Sequence, residues 1–193
     1  MLCKDPINQL NQYFLILLLI FFTVISSSNL YAQENSNLLP SIIKHNDNDA
    51  IMDSKFGNWR LFEKNIAEDE NICYLVNNPV LSNSDYDKRN QPFLMITRSS
   101  KTRREEVFLN AGFDLKNKSI VYLSIDNENY IFIAKDDLAI TENIENNVRI
   151  VKKMLNSKRL IARYDAAIGK FAIDKYSLVE LNYAYKRMRE VCN

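Results

Sequence analysis

The residues in this 193-residue chain that can do chemistry are few and scattered. The single histidine, His45, sits in the run HNDND with Asp47 and Asp49. An imidazole with two carboxylates is a partial ligand set for a divalent cation, but no second histidine or free thiol completes it. That run reads as a solvated segment. A lone histidine there also leaves the rest of the chain without a Ser-His or Cys-His nucleophile pair. Two acid pairs occur, Glu105-Glu106 and Asp136-Asp137. Paired carboxylates run acid–base catalysis when they share a buried site. Neighbours on a strand point to opposite faces, and acids in a turn are solvated, so both pairs read as structural. The run RSSKTRREE brings Arg98, Lys101, Arg103 and Arg104 together, as a solvated hairpin tip or a contact for an acidic partner. The three glycines, Gly57, Gly112 and Gly169, lie too far apart to cradle a phosphate. Trp59 reads as core. The expectation is a non-enzymatic protein with no catalytic residue, cofactor or metal. The competing reading is a hydrolase working through Asp136 or Asp137.

The cysteines raise the question of compartment. Residues 1–32, MLCKDPINQLNQYFLILLLIFFTVISSSNLYA, place Lys4 before an apolar run from Tyr13 to Ile25 and small residues after it. That is the order of a secretory signal peptide, with cleavage between Ala32 and Gln33. An uncleaved anchor is the other reading, but spanning a bilayer takes roughly 20 apolar residues and this run is shorter. Cys3 precedes the run, whereas a lipid-attachment cysteine would follow it. Cleavage leaves Cys73 and Cys192, and two cysteines in an exported chain read as one disulfide. The net charge of +1 gives no electrostatic footprint for nucleic acid or an anionic membrane. No membrane span remains after cleavage.

These residues need elements to position them. Residues 33–55 are polar and aperiodic and read as a flexible leader, with one domain over 56–193. FGNWRLF turns Gly57, Trp59 and Leu61 to the core; ICYLV and PFLMITR are strands on either side of a long polar loop, NNPVLSNSDYDKRNQ. EVFLNAGF puts Val107, Leu109 and Ala111 on one face, and SIVYLSI and YIFIA flank a turn at residues 126–129. KRLIARYDA and FAIDKYS are further strands. In IENNVRIVKKMLNS, Ile144, Val148, Val151 and Leu155 form a helical stripe. In the last segment Leu178, Leu181, Tyr185, Met188 and Cys192 form a second stripe, on a helix that carries Cys192 inward.

The ordered set FGNWRLF, CYLV, PFLMITR, EVFLNAGF, a helix carrying Met154, and DKYSLVELNYAYKRMREVC resembles the invasion-associated locus B (IalB) family of exported proteobacterial proteins. The resemblance spans residues 56–192 and is carried by Trp59 and, most strongly, by Asp174, Tyr176, Ser177, Leu178 and Cys192. It implies an immunoglobulin-like β-sandwich with a short helix before the last strands and a C-terminal amphipathic helix. It further implies a disulfide to the last cysteine, and a periplasmic, outer-membrane-surface or secreted location. For some members it implies a role in host-cell invasion; a periplasmic scaffolding role is the alternative. The chain departs from the family at Glu63, Ile140, Asn156-Ser157 and Val179. Sequencing the N-terminus of the exported protein should find Gln33 first; intact Met1 confined to the cytosol would remove the basis for export.

Overall fold

The computed structural model describes residues 50–86, 89–165 and 170–193. These belong to one unit, Asp49–Asn193. Eleven strands form a single antiparallel sheet in the order β1-β2-β3-β5-β6-β9-β8-β7-β10-β11-β4. They are β1 (Ile51–Phe56), β2 (Trp59–Ala67), β3 (Glu70–Asn77), β4 (Leu81–Ser84), β5 (Phe93–Ser99), β6 (Glu105–Asn110), β7 (Ile120–Ile125), β8 (Glu128–Lys135), β9 (Leu138–Ile140), β10 (Arg159–Asp165) and β11 (Phe171–Ser177). Two helices complete the fold, α1 (Ile144–Leu155) before β10 and α2 (Leu181–Val191) at the end. The expected class holds: mainly β and sandwich-like, with the two helices where the sequence placed them.

The sheet folds over because its connections require it. Only residues 78–80 separate β3 from β4, yet β4 pairs with β11, at the far end of the strand order. Four Cα steps reach at most about 14 Å, so β3 must lie across a sandwich-like gap from β11. The Asn77 side chain, on β3, donates 2.7 Å to the Ser177 carbonyl of β11 across that gap. One core results. Trp59, Leu61, Leu75, Leu94, Ile96, Val107 and Leu109 from the first half meet Leu123, Ile125, Phe132, Leu160, Ala162 and Tyr164 from the second. The strands alternate as their sequences promise: Leu160, Ala162 and Tyr164 are buried, while Ile161 and Arg163 are exposed.

Three strands escaped the sequence reading. β1 begins at Ile51, inside the segment read as leader, and turns at Gly57 to pair with β2. Gly57 therefore belongs to a turn, with φ of 55°, and not to the core face of a strand. β4 lies inside the long polar loop, and β9 follows directly on Asp136-Asp137. The remainder of the leader, with His45, and the cleavage pair Ala32 and Gln33 lie outside the described residues.

The buried face of α1 also differs from expectation. Asn147, Ile150, Val151 and Met154 are buried, while Ile144 and Val148 are exposed. The cause is backbone hydrogen bonding. β9 ends at Ile140 opposite Phe108, leaving the Val107 amide without a strand partner on that side. Asn147 Oδ1 accepts that amide at 2.9 Å, which turns a polar residue inward and rotates the helix with it. On α2 the stripe holds for Leu181, Met188 and Cys192, with Ala184 added and Tyr185 at its margin. Leu178 is buried ahead of the helix, which spans about three turns.

The β4 excursion returns to the first half through residues 85–92, and Arg89 fixes the return. Its guanidinium grips both oxygens of Asp174 at 2.8 and 2.7 Å, meets Ser82 Oγ, and donates from Nε to the Ala111 carbonyl. Ser82 also donates to Asp174 at 2.6 Å. The Arg89 plane lies over the rings of Phe113 and Tyr164. Asn90 then donates to the Gly112 carbonyl, and a Cβ on Gly112 would lie 2.2 Å from Asn90 O, so only glycine permits this approach. Both charges are out of water, with side-chain exposures of 8% for Arg89 and 0% for Asp174. Removing one partner of such a pair costs about 3–5 kcal/mol, because the other stays buried and uncompensated. Arg89→Met should therefore lower the thermal midpoint by about 10 °C. Adding Asp174→Leu should recover part of the loss; a midpoint unchanged in Arg89→Met would remove this role.

Candidate functional site

Cys73 and Cys192 are joined, with Cα atoms 6.0 Å apart and 119 positions between them in sequence. Both are fully buried, Cys73 on the core face of β3 and Cys192 as the C-cap of α2. The pairing inferred from the cysteine count is thus present in the fold. Around it stands a charged collar. Arg98, on β5, donates to the Cys192 carbonyl at 3.1 Å, to the Arg103 carbonyl, and to Glu105 at 2.8 Å. The Tyr185 hydroxyl of α2 lies 2.8 Å from both Glu105 oxygens. Burial, with this hydrogen bond to a carboxylate, pushes the Tyr185 hydroxyl up to about 12. At the other edge of α2, Arg187 grips Asp53 of β1 in a fork, which lowers the Asp53 carboxyl below its usual range.

Arg98 is therefore a buried structural residue and no part of an exposed basic tip; Lys101, Arg103 and Arg104 remain at the exposed end of that hairpin. The acid pairs separate as strand geometry requires. Glu105 serves Arg98 and Tyr185, while Glu106 faces the other way, its carboxyl raised by burial. Asp137 accepts from the Asn110 side chain at 2.8 Å, and the backbone carbonyls of Asp136 and Asp137 accept from Leu115 and Ala111.

Trp59 is fully buried, its indole Nε1 without a hydrogen-bond partner among the described residues, and opposes Asn77 across the β2–β3 ladder. The motif residues Asp174, Tyr176, Ser177 and Leu178 act together at the closure. Asp174 anchors Arg89, the Ser177 carbonyl receives Asn77, and the Leu178 amide donates to Lys158 O. Tyr176 and Tyr164 are buried beside Asp174. Burial and the nearby carboxylate hold the Tyr164 hydroxyl far above its ordinary range, and burial does the same for Tyr176. Both stay protonated.

The surface feature that sequence reading missed is the outer face of β4-β11-β10-β7-β8. The register aligns Leu81, Lys175, Ile161, Ser124 and Asn129 in one row across these strands. A second row runs Asn83, Ile173, Arg163, Tyr122 and Ile131. Leu81, Tyr122 and Ile131 are 54%, 43% and 51% exposed, and Ile120 adjoins them. The face is thus apolar with basic residues set among it. The alternation of Ile161 and Arg163 against a buried set was its only trace in the sequence. Among the described residues, no group of three or more His, Cys, Asp and Glu is placed to hold a metal ion, and no helix is long and apolar enough to cross a membrane.

No protein-family model, curated protein or solved structure matches this chain. The fold itself defines the class: a disulfide-closed, mainly β, sandwich-like domain with one apolar, basic face.

A disulfide closing a loop of this length stabilises by about 5 kcal/mol as an upper figure. Domain stability as a whole is typically about 5–15 kcal/mol. Cys192→Ser should lower the thermal midpoint by about 10 °C and free one titratable thiol at Cys73. Two free thiols in the native wild-type protein, by mass after alkylation, would overturn the assignment.

Proposed function

We propose that this chain is an exported, non-enzymatic protein of the IalB type that supports host-cell invasion or host association through protein–protein contact. The observation that carries the reading is the exposed apolar set Leu81, Ile161, Tyr122 and Ile131, drawn from two rows on one sheet face. Exposed apolar patches on a folded surface mark interaction sites, and aromatic residues such as Tyr122 are favoured anchors in them. Two further features support it. The signal-like segment 1–32 directs the chain to an oxidising compartment, and the Cys73–Cys192 bond is of the kind that persists there. The near-neutral charge suits protein contact without strong repulsion. The partner is a protein of the envelope or of the host.

A deletion strain of the producing organism separates the possibilities. The reading expects loss of host-cell entry with intact envelope integrity, restored by the wild-type chain but not by Tyr122→Glu/Ile131→Lys. Both substitutions are on the surface, so the variant should unfold at the wild-type temperature. An envelope defect with normal entry would assign the periplasmic scaffolding role instead.

A further inference from the structure

At one end of that outer face the surface dips into a concavity of about 590 Å³. Its apolar part comes from Val80, in the link between β3 and β4, Ile161 of β10, and Val179, between β11 and α2. Val80 and Val179 are 58% and 55% exposed. Three cations converge on the same space: Lys158 and Arg159 at the start of β10, and Lys175 of β11. None of their side chains makes an ion pair or hydrogen bond among the described residues. Asp126, the one acid at the rim, is already engaged, accepting from Ser157 Oγ at 2.6 Å and lying 3.8 Å from Lys153 Nζ. The charge lining the concavity is therefore positive in balance, three cations against one carboxylate, above an apolar wall. Three arginines elsewhere, Arg89, Arg98 and Arg187, are by contrast closely paired.

We propose that this concavity binds an amphipathic monoanion, a carboxylate or phosphate head on an alkyl tail. The volume falls within the range of about 300–1,000 Å³ typical of small-molecule sites, which are apolar with a few placed polar groups. The tail lies against Val80, Ile161 and Val179, and the head meets Lys158, Arg159 and Lys175. Lysines at the rim fit a head of either chemistry, because an ammonium acts as a point charge and needs no planar partner. The site shares Ile161 with the protein contact proposed above, but it takes a small ligand, and its test does not involve a partner.

Decanoate is the probe, titrated into the full, oxidised protein and followed by amide chemical shifts. Saturable shifts should centre on Ile161, Lys175 and Val179. Affinity should rise about fourfold per methylene from hexanoate to decanoate. Lys158→Glu/Lys175→Glu, both at exposed positions, should weaken decanoate about tenfold while leaving decanol binding unchanged. Equal affinity of the wild type for decanol and decanoate would overturn the proposal, as would shifts centred elsewhere or no saturation. Phosphatidylglycerol vesicles distinguish the source of the anion. Sedimentation that decanoate competes away assigns a lipid, absence of sedimentation with saturable decanoate assigns a free acid, and sedimentation without decanoate binding overturns the site.

Discussion

The three-residue link between β3 and β4 is the constraint from which the architecture follows. It is too short to let the sheet stay open, so a chain of eleven strands must bend until β3 faces β11. The core is shared between the two halves of one sheet, which a flat sheet could not achieve. Asn77 finds Ser177 there, and the return loop meets the β6–β7 link closely enough that residue 112 must be glycine.

Closing a sheet brings charge into the interior, and two arginines show how it is satisfied. Arg89 meets Asp174, Ser82 and Ala111 at once, so its donors are used in a fork geometry that a lysine does not offer. Arg98 does the same at the opposite end, tying β5 to the carbonyl of Cys192 beside the disulfide. The two arginines hold opposite jobs on equal terms, one locking the crossover and the other locking the terminal helix. A buried ion pair is weak evidence for net stability, since its desolvation offsets much of its attraction. Its clearer contribution here is geometric, because each arginine ties together groups far apart in sequence.

The parts legible in the sequence were those where burial and periodicity agree. Trp59 and Leu61, Val107 and Leu109, and Leu160 and Tyr164 recur at a period of two on buried faces, and each strand is legible from that. The disulfide followed from counting cysteines. β1 and β4 stayed hidden because they are edges, paired on one side and largely exposed, so IMDSKF and LSNS carry no apolar alternation. α1 was found but turned wrongly, because Asn147 answers an amide forty residues away. Asp174 stood out as a motif residue, yet its partner Arg89 lies 85 positions earlier in a polar run, and nothing local joins them. The concavity is equally non-local, assembled from links and strand ends that meet only in the closed sheet.

The placement of β4 also governs how the chain reaches its native state. β4 precedes β11, its one partner strand among the described residues, by most of the domain, and Ser82 lies 92 positions from Asp174. Until β11 is in place, β4 has no strand to pair with among the described residues. Sheets built from such distant pairings fold slowly, on scales of milliseconds to seconds for small β domains, since loop closure precedes any contact energy. The hairpins β2–β3, β5–β6 and β7–β8 are local by contrast, so loop closure costs them far less than it costs the β4–β11 pairing.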